Sequence, residues 1–179
     1  MPSRRFTSLI IFLVAVGFIG YVLVTTESGK VGAEVGKNAP DFNLPLWHNG
    51  EFAELSSFRG DIVVLNLWAS WCPPCKKEMP DLIRFSNDYQ DKGVKVVGVN
   101  LATHERAADG ADEFMVEYGV EFPTFIDQPG EDRRGIVSSL YNINSIPYTY
   151  ILDQDGRISK IISGEVTYEM LVEFIEELR

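Results

Sequence analysis

The chain contains few of the residues that bind metals or build disulfide-rich scaffolds. Its 179 residues include two cysteines, Cys72 and Cys75, and two histidines, His48 and His104. A Cys-x2-Cys pair is only half of a zinc site and the other half is missing, so we expect no metal. One pair is also too few for a disulfide-dependent scaffold. The thiols are therefore candidates for chemistry, with an unreactive structural pair as the alternative.

Basic residues are also scarce. Lysine and arginine number 16 against 26 acidic residues, and the formal net charge of −10 argues against a nucleic-acid partner. No internal repeat or low-complexity segment is visible. Residues 27–35 read as a short polar linker and residues 36–179 as one domain. A chain near 150 residues can bury roughly 68–70% of its unfolded surface, so it needs no additional cross-link for stability.

Charged residues are absent from residues 6–26. A helix over this stretch, at about 1.5 Å per residue, spans roughly 31 Å, close to the hydrocarbon thickness of a bilayer. Arg4 and Arg5 precede it, so the positive-inside tendency keeps the N-terminus in the cytoplasm and exports the rest of the chain. We predict that residues 1–26 form an uncleaved, single-pass signal-anchor in the cell membrane, with the domain on the extracytoplasmic side. A cleaved signal peptide is the alternative.

The two cysteines lie at a predicted junction between a strand and a helix. Residues 62–69 form an apolar, β-branched run that is typical of a buried strand, and residues 73–89 show helical spacing of apolar positions. Proline is well tolerated in the first turn of a helix, so the helix can begin at Pro73. Cys72 then lies at the helix N-terminus, where the helix dipole and free N–H groups stabilise a thiolate.

The other predicted elements alternate between strands and helices. Two extended segments, 39–46 and 50–55, flank an Asn-Gly turn and indicate a hairpin. Further strands are predicted at 94–100, 123–127, 148–152 and 158–162, and helices at 108–118, 136–141 and 167–178. Thr167 is the predicted N-cap of the last helix, whose apolar face comprises Met170, Leu171, Phe174, Ile175 and Leu178. This order predicts an α/β fold, a mixed sheet covered on both faces.

Several motifs together resemble thioredoxin. They are Trp71-Cys72-Pro73-Pro74-Cys75, Pro80 five residues beyond the second cysteine, and Ser145-Ile146-Pro147 before a strand. The larger pattern resembles the exported, membrane-anchored thiol-disulfide oxidoreductases of the ResA/TlpA/DsbE group, and ResA in particular. Its matching pieces are residues 36–42, 65–72, 76–80 and 122–123. The resemblance implies a thioredoxin-like fold with an N-terminal β-hairpin extension.

Thiol chemistry in such a protein needs no cofactor beyond the Cys72–Cys75 disulfide. Cys72, nearer the helix start and more exposed, is expected to attack a substrate disulfide as a thiolate, with a pKa below the free value of about 8.5. Cys75, one turn inward, then resolves the mixed disulfide. Pro73 and Pro74 restrict the ring between the sulfurs and remove two N–H donors, so both are expected to tune the reduction potential.

The resemblance also implies a groove for a protein substrate. Pro147 matches the cis-proline that lies against the disulfide in the thioredoxin fold, and the Ile146 backbone would then face an extended substrate segment. Trp71 is expected to form an exposed apolar platform beside the nucleophile. The plainer alternatives are an ordinary trans proline and a packed tryptophan.

Two departures from the related families concern proton transfer. Asn66 stands where thioredoxin has a buried Asp, and Pro73 stands where ResA-like proteins often have a Glu. The remaining candidate for an acid–base group is Glu78, one turn beyond Cys75. The alternative is that Glu78 is a solvated partner of the helix dipole. Water would then carry the proton instead.

The resemblance implies a reductase that receives electrons from a membrane thiol-disulfide carrier of the CcdA or DsbD kind. Its expected client is the Cys-x-x-Cys-His disulfide of apocytochrome c, before haem attachment. Alternatives are another exported client, such as a spore-envelope protein, and a DsbA-like oxidant. Two more distant alternatives have weak support. Metal-delivering relatives use a wider cysteine spacing, and a peroxidase would have Thr where Ala69 stands.

Overall fold

The apolar run before the cysteines forms the central strand of the sheet. In the computed structural model, which describes residues 13–17, 31–131 and 133–179, β3 spans Ile62–Trp68 and every one of its residues is buried. A strand that is buried throughout is typical of a sheet covered on both faces. β3 pairs in parallel with β4 (Val94–Asn100) and antiparallel with β6 (Tyr148–Leu152).

Two further strands complete a five-stranded mixed sheet. β5 (Thr124–Ile126) pairs in parallel with β4, and β7 (Ile158–Ser163) pairs antiparallel with β6. The strand order is β5-β4-β3-β6-β7. The predicted hairpin is also confirmed, because β1 (Asn43–Pro45) and β2 (Phe52–Glu54) pair antiparallel as a separate two-stranded sheet.

The helices begin and end close to their predicted positions. They are α1 (Pro73–Tyr89), α2 (Gly110–Tyr118), α3 (Ile136–Leu140) and α4 (Tyr168–Glu176). Short 3-10 turns occupy Leu55–Phe58, Gln90–Lys92 and Ala102–His104. Thr167 is the N-cap of α4, as predicted. The prediction for Leu178 is wrong: it lies beyond the helix end and is exposed, whereas Leu171 and Ile175 are buried.

Apolar side chains cover both faces of the sheet, as predicted. On one face, α1, α2 and α4 bury a cluster that includes Trp68, Phe85 and Phe114. On the other face, α3 and the hairpin bury a second cluster that includes Leu44, Leu65 and Phe125. Residues 32–179 form one compact unit.

The strand directions bring several chain segments to one edge of the sheet. Because β3, β4 and β5 are parallel and β6 runs antiparallel to β3, their carboxyl ends share an edge with the amino end of β6. The segment after Trp68, the segment after Asn100 and the segment before Tyr148 therefore meet there. Open α/β sheets place their active sites at this edge.

The predicted membrane anchor falls mostly on residues that the structure does not describe. Of residues 6–26, the structure describes 13–17, which are helical. Within the described part of the chain, no helix has the length and apolar character needed to cross a bilayer. The anchor stays a prediction from the sequence.

Candidate active site

The two cysteines form a disulfide at the start of α1. Their Cα atoms lie 5.3 Å apart. Cys72 is the N-cap of the helix, and its sulfur accepts a hydrogen bond of 3.3 Å from the backbone N–H of Cys75. Pro73 and Pro74 fill the first two helical positions, where a missing N–H leaves no helical hydrogen bond unmade. The sequence prediction of a redox pair at a strand-to-helix junction is therefore confirmed in its geometry.

The surroundings of Cys72 favour a negative charge on its sulfur. The helix dipole, the N–H of Cys75 and the absence of an acidic residue in the first turn of α1 all act in this direction. Cys72 is 2% exposed and Cys75 is fully buried. The expected order of exposure is correct, but in this oxidised state Cys72 is much less open than the sequence suggested.

The Ile146–Pro147 peptide bond is cis, as the resemblance implies. The sheet register pairs Tyr148 with Leu67, so Pro147 lies at the same edge as the residues that follow β3. The carbonyl of Pro147 accepts a hydrogen bond of 2.9 Å from the N–H of Gly164, which fixes the loop after β7 against this turn. Ile146 is half-buried and contacts the core clusters on both faces of the sheet.

Trp71 is not the open platform that the sequence predicted. Its indole N–H donates a hydrogen bond of 2.7 Å to the carbonyl of His104, and the guanidinium carbon of Arg106 lies 3.9 Å from the ring centroid. The side chain is half-buried. The segment after β4 therefore fixes the indole and covers one face of it.

Glu105 holds this same segment against the active-site loop, and sequence reasoning missed it. Its carboxylate accepts hydrogen bonds from the N–H of Ser70 at 2.8 Å and from the Ser70 hydroxyl. It also accepts one of 2.6 Å from the side-chain amide of Asn100. A signal was present, because Glu105 follows a strand parallel to β3 and so belongs to the carboxyl edge of the sheet.

Glu78 is buried, so the solvated alternative for this residue is wrong. It is 1% exposed. Its Oε1 accepts a hydrogen bond of 2.8 Å from the Asn66 amide, and its Oε2 accepts one of 3.0 Å from the N–H of Val166. Burial raises the pKa of Glu78 from 4.5 to about 7; the two hydrogen bonds lower it, and the nearby charge of Glu165 raises it.

Asn66 lies on β3 directly under α1 and is completely buried. Besides Glu78, its Nδ2 group donates a hydrogen bond of 3.0 Å to the hydroxyl of Thr149 on β6. Its Oδ1 has no hydrogen-bond partner. Thr149 carried no signal in the sequence, since only the pairing of β3 with β6 places it opposite Asn66.

The described residues, 13–17, 31–131 and 133–179, contain no group of three or more His, Cys, Asp or Glu side chains that could hold a metal ion. The site instead holds an exchangeable disulfide and a buried carboxyl group one turn further along the same helix. This arrangement can exchange two electrons and a proton with another thiol or disulfide.

Comparison with known proteins agrees with this chemistry. The AhpC/TSA family model matches residues 35–161. The thioredoxin-like protein YneN of Bacillus subtilis is 37% identical over 92% of this chain and 92% of its own length. The thiol-disulfide oxidoreductase ResA of Bacillus thuringiensis is 33% identical over 98% of this chain and 97% of its own.

A solved structure shows the same fold. The crystal structure of StoA from Bacillus subtilis has a TM-score of 0.64 and 32% sequence identity, and it covers 76% of this chain and 96% of its own. The disulfide of the present chain lies at the start of the helix after the central strand. The chain belongs to the AhpC/TSA family of thioredoxin-fold proteins and is a thiol-disulfide oxidoreductase of the ResA and StoA type.

Proposed function

We propose that this oxidoreductase is an exported, membrane-anchored reductant whose client is the Cys-x-x-Cys-His disulfide of apocytochrome c. The observation that carries the proposal is the Cys72–Cys75 disulfide at the start of α1, in a chain that matches ResA along nearly all of its length. The charge pattern around residues 6–26 supports anchoring with the domain outside the membrane. Disulfides persist on the extracytoplasmic side of the membrane, so a client disulfide there would need a reductant to become a pair of thiols.

The reaction consists of two thiol-disulfide exchanges. The Cys72 thiolate attacks one sulfur of the client disulfide, so that a Cys72–client bond forms and the other client sulfur leaves as a thiolate. The Cys75 thiolate then attacks the Cys72 sulfur, forming the Cys72–Cys75 bond and releasing the first client sulfur. The client gains two electrons and the enzyme pair loses two.

Glu78 is the group that would accept the proton of the Cys75 thiol before the second exchange. It follows Cys75 by three residues on α1, which places both on one face of the helix. Its pKa of about 7 leaves it able to take up and release a proton near neutral pH. This assigns to Glu78 the role that the amide of Asn66 cannot perform.

Three residues at the edge of the sheet would receive the client. Ile146 precedes the cis-proline Pro147 just before β6, so the backbone of Ile146 can pair with an extended client segment in the manner of an added strand. Trp71, which directly precedes Cys72, offers the part of its indole that Arg106 does not cover. A groove of this kind suits a protein client better than a small molecule.

The oxidised pair must be reduced again before the next turnover. We assign this step to a membrane thiol-disulfide carrier of the CcdA or DsbD kind, whose own dithiol would attack the Cys72–Cys75 bond by the same exchange in reverse. Anchoring through residues 6–26 would keep the domain near such a carrier.

Deleting the gene and measuring c-type cytochromes tests the proposal. We expect the cytochromes to be lost, to return when an external thiol reductant is added, and to return with a plasmid-borne wild-type gene but not with a Cys72→Ser gene. Normal cytochrome levels in the deletion strain would defeat the choice of client.

A second candidate is a different exported client, for example a spore-envelope protein, or a DsbA-like oxidising role. The chain is more identical to the thioredoxin-like protein YneN, 37%, than to ResA, 33%, so the match to ResA does not by itself determine the client. The reduction potential of the Cys72–Cys75 pair separates reductant from oxidant. A value near that of thioredoxin, about −270 mV, supports the reductant, and one near that of DsbA, about −120 mV, supports the oxidant.

A further inference from the structure

A buried polar cluster joins four parts of the fold beneath the cysteines. Asn66 on β3 contacts Glu78 on α1 at 2.8 Å and Thr149 on β6 at 3.0 Å, and Val166 before α4 contacts Glu78 at 3.0 Å. Asn66 and Thr149 are fully buried, and Glu78 is 1% exposed. Water therefore has little access, and each group depends on the others for its hydrogen bonds.

One atom of this cluster has no partner. The Oδ1 of Asn66 accepts no hydrogen bond, although both hydrogens of its Nδ2 are used. Leaving a buried carbonyl oxygen unpaired is unfavourable, and a native structure that does so calls for a physical reason. The reason we infer lies in the second protonation state of Glu78.

The two oxygens of Glu78 differ in whether they can carry the proton. Oε2 receives a backbone N–H from Val166, which can only donate, so Oε2 must accept in both protonation states. A proton on Glu78 therefore belongs on Oε1. There it would meet the Nδ2 group of Asn66, which is also a donor, unless the amide turned over.

We propose that Asn66 is a positioning residue whose amide makes a half-turn whenever Glu78 gains or loses its proton. With Glu78 ionised, Nδ2 donates to Oε1, as in the structure. With Glu78 protonated, the half-turn places Oδ1 where Nδ2 was, so that Oδ1 accepts the hydrogen on Oε1, and it moves Nδ2 to the former position of Oδ1. The hydroxyl of Thr149 permits both orientations, because it can accept from Nδ2 or donate to Oδ1.

Among the neighbours of Glu78, Asn66 is the group whose hydrogen bond must change when the carboxyl group gains or loses its proton. From the sheet, Asn66 and Thr149 are neutral, and on α1 the disulfide of Cys75 carries no charge. The charged neighbour is Glu165, whose carboxylate is paired with the exposed Lys77 at 2.6 Å. Its field acts on the charge of Glu78 but makes no hydrogen bond that changes with the proton.

The inference rests on the proposed role of Glu78 as proton acceptor, yet it can be tested without catalysis. Nuclear magnetic resonance of the oxidised full-length protein can follow the Glu78 carboxyl carbon and the side-chain amide of Asn66 across pH. We expect one shared midpoint near pH 7, and nuclear Overhauser contacts from the amide hydrogens to Thr149 above it that are lost below it. A Glu78→Gln variant should abolish the transition of the amide.

Variants of two buried asparagines supply the second measurement. Asn66→Leu keeps a similar volume but removes the donor to the carboxylate, so the Glu78 midpoint should rise by about one pH unit. Asn100→Leu is the matched control. Asn100 is also fully buried, has an unpaired Oδ1 and donates to a glutamate, but that glutamate is Glu105. The control should leave the Glu78 midpoint unchanged.

Contacts from the Asn66 amide to Thr149 that persist unchanged on both sides of the Glu78 midpoint would overturn the half-turn, even if Asn66→Leu failed to fold. A Glu78 midpoint that Asn66→Leu leaves in place would overturn it as well. Failure of the proposed catalytic role has a different signature: the pH profile of disulfide reduction would not respond to Glu78→Gln, whatever the resonance measurements show.

Discussion

The backbone N–H of Cys75 donates a hydrogen bond of 3.3 Å to the sulfur of Cys72. This contact arises because Cys72 is the N-cap of α1, where a capping side chain normally accepts from the N–H three residues on. The same donor can stabilise the Cys72 thiolate once the disulfide is reduced. Cys75 lies inside the helix and has no such position, so the two sulfurs have different roles.

The first prediction concerns the attacking sulfur. Replacing Cys72 with Ser should abolish the reduction of insulin disulfides, because a serine hydroxyl neither attacks a disulfide nor forms one. Turbidity of precipitating insulin chains gives the rate. Far-ultraviolet circular dichroism of the variant serves as the folding control. Turnover above the uncatalysed rate in a folded Cys72→Ser protein would contradict the assignment.

A second prediction concerns the pH dependence of the rate. Glu78 can accept the Cys75 proton only when it is ionised, so the rate of disulfide reduction should rise with pH through about 7. Glu78→Gln should remove this inflection and slow the reaction by about 10²-fold above it.

Glu165→Gln is the matched control for this measurement. Glu165 is also acidic and raises the pKa of Glu78 through its charge. Its removal should therefore keep the inflection and move it slightly to lower pH. An inflection that survives in Glu78→Gln would assign the titration to another group.

The third prediction concerns stability. Glu78 has a pKa of about 7 in the folded state against 4.5 ordinarily, so the folded state binds its proton more tightly than the unfolded state does. The contribution of Glu78 to the free energy of unfolding is fully present below about pH 4.5. It is lost as pH rises through 7, and the total loss is about 3 kcal/mol. Urea unfolding of the oxidised protein at pH 4 and pH 8 gives the free energies.

Glu78→Gln isolates this contribution, since other titrating groups are common to both proteins. The wild-type protein should lose about 3 kcal/mol relative to the variant between the two pH values. A difference in unfolding free energy that is the same at pH 4 and pH 8 would show that Glu78 does not titrate in this range.

Much of this site could be read from the sequence because its signals are local. The buried strand, the proline-rich helix start and the cysteine pair adjoin one another in the chain, and each follows from periodicity or from capping. The burial of Glu78 could not be predicted, because it depends on the N–H of Val166, which is 88 residues away. Helical spacing indicates which face a residue occupies, but not what a distant loop places over that face.

The same limit explains the outcome at Trp71. Its position before Cys72 predicts a role near the substrate, but its exposure is set by His104 and Arg106, which follow a different strand. Pro147 shows the opposite case. Its cis peptide bond came from family resemblance alone, and the structure confirms it.

A fourth prediction concerns the client groove. Trp71→Ala should lower kcat/KM for a protein disulfide by about tenfold, because aromatic side chains at the centre of an interface often contribute about 1–2 kcal/mol or more. Reduction of a small aromatic disulfide, which does not fill the groove, should change much less. Parallel kinetics with the two substrates give the comparison.

Trp47→Ala is the matched control. Trp47 is also half-buried against the same core cluster, and its indole N–H donates to Asp112. The Trp47→Ala change should lower the free energy of unfolding without changing the ratio of kcat/KM between the two substrates. Equal losses on both substrates for Trp71→Ala would mean that the indole acts on the cysteines and not on the client.

The most direct test of the exchange mechanism is to trap its intermediate. A Cys75→Ser variant, reduced and mixed with a peptide that carries an oxidised Cys-x-x-Cys-His segment, should stop at the mixed disulfide because the resolving thiol is absent. Mass spectrometry after proteolysis should find the peptide joined to Cys72, and added thiol reductant should release it. Absence of any peptide adduct, in a folded variant whose Cys72 thiol is free, would contradict the account.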